Sequence, residues 1–201
     1  MEVIVGKQGN STIMFSGDLE QVVFSPYWNV PESIVKKEIL PAMDRNPNYL
    51  LEQNMEITGT VDGLPVIRQL PGEKNSLGKV KFLFPNSFDI YFHDTPAKSL
   101  FNKDKRAYSH GCIRLSDPTR MAEYVLYDNP EWTPEKIAEA MNSDKEKYVK
   151  VKNPIPVFIS YYTAWVDEMG QLHFREDIYG HDSKMAAKMF INNVSEPLGK
   201  R

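Results

Sequence analysis

The sequence predicts a mainly β protein with peripheral helices, an α+β class, and three observations carry that reading. Short alternating apolar and polar runs recur along the chain with Gly, Asn and Asp between them, which is the texture of antiparallel strands. Helical periodicity is confined to a few short stretches. A segment at 28–76, dense in glycine and proline, interrupts the strand texture and reads as an insertion, part helical and part irregular. At 201 residues, 41% apolar and 25% charged, the chain has an ordinary globular composition. It is long enough to bury about 70% of its unfolded surface without disulfides or metals.

Taken in order, residues 3–7, 11–16 and 20–25 read as strands, broken at Gly9-Asn10 and Gly17-Asp18. Beyond Pro26-Tyr27-Trp28-Asn29-Val30-Pro31, Ile34, Val35, Ile39 and Leu40 recur at helical spacing, and 48–53 suggests another short helix. Strands return at 80–84 and 89–93, followed by a polar loop at 94–108. Asp117 before Pro118 and Thr133 before Pro134 place a capping side chain ahead of a first-turn proline, predicting two helices. Residues 156–166 and 171–178 read as a hairpin, and 183–192 as a terminal helix.

Composition excludes several classes of function. A net charge of −3 gives no electrostatic footprint for nucleic acid. The apolar runs are too short to span a bilayer. A single cysteine permits no intrachain disulfide. The first seven residues do not read as a signal peptide.

Chemistry concentrates in one stretch. A lone cysteine is ordinarily a small buried hydrophobe, but Cys112 follows Gly111, which admits a close approach, and His110. In an extended chain His110 and Cys112 face the same side, and a thiol beside an imidazole can become a nucleophile. His93 ends an alternating strand ahead of Asp94-Thr95-Pro96. Zinc competes for a Cys/His set, yet a structural site wants four ligands and nothing nearby completes it, so no metal or other cofactor is expected.

These residues resemble the YkuD-type L,D-transpeptidase catalytic domain. His93, the fifteen-residue loop 94–108 and Ser109-His110-Gly111-Cys112-Ile113-Arg114 match that family's signature. Pro26-Tyr27-Trp28-Asn29-Val30-Pro31, Asn75-Ser76-Leu77-Gly78-Lys79-Val80-Lys81-Phe82 and Ala164-Trp165-Val166-Asp167 are similar to the YcbB-like subgroup. That subgroup carries a capping subdomain where composition places the insertion. Arg114, where many members have Asn, fits the same branch. The resemblance implies a β-sandwich-like catalytic fold over 1–201 with a cap at 28–76.

It also implies acyl transfer. Cys112 would attack the carbonyl between the third and fourth residues of a peptidoglycan stem tetrapeptide, releasing D-Ala and leaving a thioester. His93 would be the base, His110 a neighbour that helps hold the site, and backbone N–H groups around Gly111 the oxyanion donors. Arg114 either binds a donor carboxylate or braces the loop. Ser109 bonds backbone or His93, or shapes the turn. Tyr91 and Trp28 either line the cleft or pack. A stem amine as acceptor gives a 3→3 crosslink, water gives carboxypeptidase activity, and a protein lysine tethers a lipoprotein. A thiol endopeptidase and a silent peptidoglycan-binding domain are the alternatives from other classes. The implied partners are donor and acceptor stem peptides and cell-wall synthases. The implied place is the periplasm or cell envelope, as part of a longer exported chain.

Overall fold

Alternation along seven paired strands builds the first of the two units into which the chain divides, Met1–Phe158. The computed structural model describes residues 1–190. In spatial order the strands are β10 (Lys147–Ile159), β2 (Phe15–Phe24), β6 (Val80–Leu83), β7 (Phe92–His93), β9 (Ile113–Leu115), β1 (Val3–Gly6) and β8 (Ala107–Ser109). β2–β6, β6–β7 and β1–β9 pair antiparallel, whereas β7–β9 and β1–β8 are parallel. Mainly β with a few helices is therefore the observed class.

Register divides the sheet into two chemically distinct faces, because directly paired residues project to the same side. Val22 opposite Phe82 and Phe24 opposite Val80 are fully buried and form the core face. Each such side chain contributes about 2 kcal/mol by leaving water. Trp132 stacks on Phe24 at 4.9 Å between ring centres, and the Ser25 hydroxyl donates to the Ala140 carbonyl at 2.9 Å. These contacts join the sheet to the helical segment containing α4 (Pro118–Val125) and α5 (Pro134–Met141). Both expected caps form: Arg120 N–H donates to Asp117 Oδ1 at 3.1 Å and Lys136 N–H to Thr133 Oγ1 at 3.4 Å.

On the opposite face one transverse row runs Val23, Lys81, His93, Arg114, Ile4 across β2, β6, β7, β9 and β1. Its ends are fully buried apolar residues and its centre is three basic side chains. The sheet thereby puts a polar strip between two greasy walls.

The 28–76 segment has a regular core of its own. β3 (Trp28–Asn29), β4 (Met55–Val61) and β5 (Leu64–Gln69) form a three-stranded sheet in the order β3-β5-β4. The helical run consists of α1 (Glu32–Ile34), a π-helical turn (Val35–Ile39) and α2 (Leu40–Arg45), followed by α3 (Tyr49–Glu52). Val30, Ile34, Val35, Ile39 and Ile67 are buried together, with Trp28 and Tyr49 packed against them. The half of this segment expected to be irregular is a hairpin. Asp62 and Gly63, at φ 50° and 78°, make its turn, and two left-handed residues match the right-handed twist of the flanking strands. Asn75, 1% exposed, closes the segment: its amide donates to the carbonyls of Pro26 and Leu70, both at 2.9 Å.

Three other strand boundaries differ from the sequence expectation. β2 runs unbroken through Gly17-Asp18, and β7 starts only at Phe92, after Asp89 at φ 54°. Residues 156–159 end the long strand β10 rather than opening a hairpin. Pro154 and Pro156 are tolerated because β10 lies at the sheet edge, where a missing N–H leaves no ladder bond unmade.

The second unit, Ile159–Arg201, contains a short hairpin of β11 (Ala164–Val166) and β12 (Leu172–Phe174), then α6 (His181–Met189). The last two residues of the predicted 183–192 helix lie outside the described residues. Among the described residues no helix is long and apolar enough to cross a membrane.

Candidate active site

Two-residue steps along β7 and β9 generate the site. Tyr91 precedes His93 by two residues and Cys112 precedes Arg114 by two, so the pairing of His93 with Arg114 puts all four on the basic face. They line one cavity of about 700 Å³, together with Lys81, Ser109 and His110. Trp28, Ile34 and Glu38 of the 28–76 segment line it too. Cys112 also lines a smaller cavity of about 220 Å³ with Phe88 and Gly111. The thiol thus sits between two spaces.

Cys112 Sγ is directed to the Asp89 carbonyl at 3.5 Å, and among the described residues it makes no hydrogen bond to His93. Burial raises the thiol above its ordinary range. Hydrogen bonds from the Tyr91 backbone N–H and hydroxyl oppose that, as does Arg114, while the Asp89 carboxylate adds to it. The Tyr91 hydroxyl is itself pushed upward, by burial first and then by Cys112 and Asp89, so it stays a donor. Tyr91 therefore faces the cleft rather than the core, and its two donors are aimed where thiolate charge develops.

His93 is 4% exposed. Burial, reinforced by Arg114 and Lys81, lowers its imidazole to about 4, so the ring is neutral at physiological pH. Its Nδ1 lies 2.5 Å from the Asp94 carbonyl. A carbonyl only accepts, so Nδ1 carries the proton and Nε2 is left as the basic nitrogen. The resting pair is a neutral thiol and a neutral imidazole.

Asp94 anchors that carbonyl. Its Oδ2 accepts from Lys79 N–H at 2.9 Å and its Oδ1 binds the Lys98 ammonium. Gly78, at φ +63°, lies directly against this carboxylate: a Cβ there would stand 2.3 Å from Asp94 Oδ2. Gly78→Ala is expected to destabilise the domain by about 2 kcal/mol. It should also disturb the His93 Nδ1–H resonance in proton NMR, a signal that a purely local fault at residue 78 would leave in place.

The 109–112 loop is braced from both sides. Ser109, 2% exposed, donates to the Cys112 carbonyl at 2.5 Å and accepts from Gly111 N–H at 3.1 Å, so its hydroxyl shapes the turn and does not reach His93. Thr12 Oγ1 accepts from Gly6 N–H at 2.9 Å and donates to the Gly111 carbonyl at 2.8 Å. Gly111 N–H is engaged, whereas those of His110 and Cys112 are bonded to no protein group among the described residues. His110 turns away from His93: its Nε2 lies 2.9 Å from Glu38 Oε1, linking the loop to the π-helical turn. Trp28 packs against the insertion's core and lines the cavity as well. Arg114 Nε is buried with no hydrogen-bond partner.

Sequence reasoning missed Lys81, Asp89, Thr12 and Glu38, and touched Asp94 only as the residue after His93 that bears on the orientation of its ring. Lys81 is a charge inside the apolar run Val80–Leu83, which marks it as unusual without tying it to His93. Among the described residues no three of His, Cys, Asp and Glu converge where they could hold a metal ion.

Residues 1–159 match the family described as YkuD, L,D-transpeptidase catalytic domain. A Haemophilus influenzae protein named "Putative L,D-transpeptidase" is 34% identical over 199 residues. That match takes in 91% of this chain and 40% of the relative, so the chain spans about two-fifths of the relative's length. With the family matched over residues 1–159, the segment that holds the Cys112 thiol and the His93 imidazole, the chain belongs to the YkuD L,D-transpeptidase catalytic domain family.

Proposed function

We propose that this domain is a peptidoglycan L,D-transpeptidase of the YcbB-like kind, forming 3→3 crosslinks between stem peptides, with 28–76 as a cap over its active site. The observation that carries the reading is the shared cavity, in which Cys112, Tyr91, His93 and Arg114 from the sheet meet Trp28, Ile34 and Glu38 from the insertion. Crosslinking needs room for two peptide chains, and a cysteine between two cavities supports that.

In this mechanism the Cys112 thiol rotates off the Asp89 carbonyl and its proton passes to His93 Nε2. Sγ attacks the carbonyl between the third and fourth stem residues. The oxyanion is held by the Cys112 and His110 N–H groups, each worth about 3 kcal/mol in the transition state. The amide C–N bond breaks as His93 returns the proton to the departing D-Ala amine, leaving a thioester. A stem amine then attacks, giving its proton to His93, and the thiolate leaves and is reprotonated. The substrate places the domain in the periplasm or cell envelope, among cell-wall synthases.

Incubation of the domain with tetrapeptide muropeptides, read by mass spectrometry, tests this. The expected products are free D-Ala and a dimer lacking one D-Ala. Tripeptide without dimer would make water the acceptor, and no D-Ala release from any tetrapeptide would overturn the reading.

A further inference from the structure

Lys81 and Arg114 are the two members of the basic row that the mechanism leaves without a step. Lys81 pairs directly with His93, which pairs directly with Arg114, so two cations flank the imidazole on one face of three neighbouring strands. All three line the larger cavity.

Neither cation is fully partnered within the protein. Among the described residues the carboxylate paired with Lys81 is Glu146, a long 3.8 Å from its ammonium; its pull is outweighed by the burial that lowers the ammonium, and the same oxygen accepts Tyr27 N–H at 2.9 Å. Arg114 forms no ion pair among the described residues, and its Nε is buried without a hydrogen bond. Two part-buried cations on either side of one imidazole, one of them unpaired, are unfavourable unless an anion joins them. The cavity is where that anion would come from.

The chemistry at Cys112 specifies which anion. Arg114 lies two residues from Cys112 along an extended strand, about 6.6 Å between Cα atoms. In a peptide attacked at its last amide bond, the terminal carboxyl carbon lies at most about 4 Å from the attacked carbonyl carbon. A donor held at Sγ therefore delivers its free carboxylate into the reach of the Arg114 guanidinium. A planar guanidinium and a carboxylate can pair through two parallel hydrogen bonds, and an ammonium adds a third from the other side.

Resting on the donor chemistry of the preceding subsection, we propose that Lys81 is a specificity residue that forms, with Arg114, a two-cation subsite for the terminal carboxylate of the residue being displaced. The subsite makes the enzyme read a peptide's end, accepting a terminal D-residue and rejecting the same bond inside a longer chain. It also couples binding to catalysis. Burial is the main reason His93 is neutral and the two cations reinforce it; a carboxylate held between them offsets the cations' share, so the imidazole becomes a better base once a donor is bound.

The test compares a stem tetrapeptide with its C-terminal carboxamide, following release of the fourth residue. The wild-type domain should favour the acid over the amide by about tenfold or more in kcat/KM, since the amide brings no negative charge to either cation. Lys81→Met should narrow that ratio, chiefly by raising KM for the acid, and Lys81→Arg should restore it. Should Lys81→Met fail to fold because Glu146 is stranded, the Lys81→Met/Glu146→Gln pair removes both charges and gives the same readout. Equal turnover of acid and amide by the wild type would overturn the subsite while leaving the transpeptidase reading intact. So would a ratio that Lys81→Met leaves unchanged, or an equal loss on both substrates. If the wild type releases the fourth residue from neither substrate, the transpeptidase reading itself fails.

Discussion

Cys112→Ser is expected to abolish acyl-enzyme formation, lowering D-Ala release by roughly 10⁴-fold or more. A hydroxyl occupies nearly the same space, so the cavity and the loop survive and the loss is chemical. The reason lies in proton affinity. Burial already holds the Cys112 thiol above its usual range, and the site counters with two hydrogen bonds from Tyr91 and the charge of Arg114. Those interactions suffice for sulfur, whose anion is intrinsically accessible; the same set is far too weak to ionise an alcohol with a neutral His93 as its only base. A carbapenem provides the readout. Its strained carbonyl is an acyl donor, and the opened ring stays attached, so the thioester persists until water or an amine displaces it. Intact-protein mass spectrometry should find one adduct per wild-type chain, located by digestion to the peptide containing Cys112. This is the chain's single cysteine, so the assignment is unambiguous. Undiminished acylation of Cys112→Ser, or a wild-type adduct on another residue, would sink the nucleophile assignment.

What the sequence could show was governed by how local each signal is. The chemistry of 109–114 was legible because Cys112, Gly111 and His110 are contiguous and because side chains two apart in an extended chain share a face. The helices at Pro118 and Pro134 were legible from their caps, which are decided within four residues. The hairpin at 55–69 carried the strongest short-range turn signal, Asp62-Gly63, but Gly59, Pro65, Pro71 and Gly72 crowd around it and made the segment look like a chain of breaks. Gly17 misled in the opposite direction, since it lies inside β2, where pairing with a neighbouring strand outweighs its poor propensity. Lys81 was illegible as a site residue for a different reason. Its place beside His93 is set by the register of β6 on β7, a long-range property that no window of sequence contains. The same holds for His110, whose partner Glu38 is 72 positions away in the chain.

His93→Ala is expected to slow acylation of Cys112 by about 10²- to 10⁴-fold, the usual worth of a positioned general base, and to erase the acid limb of the pH profile. The wild-type limb follows from the neutral imidazole. His93 must be unprotonated to take the thiol proton, and burial with two nearby cations lowers it to about 4. Activity in the free enzyme should therefore hold steady as pH falls from 7 through 5, then drop as pH passes through about 4 and Nε2 becomes protonated. An ordinary exposed histidine would start to fail near pH 6.5, so the position of the limb tests the environment as well as the residue. Removing the ring leaves a small cavity beside Lys81 and Arg114, and a fall in activity alone could then reflect a disturbed sheet. His93→Gln refills most of that space and can still donate to the Asp94 carbonyl, yet it has no titratable nitrogen. It should fold with wild-type thermal stability to within about 1 kcal/mol and remain as slow as the alanine variant, with no limb at pH 4. A glutamine variant as fast as wild type would show that His93 only positions the loop, and that the proton of Cys112 leaves by another route.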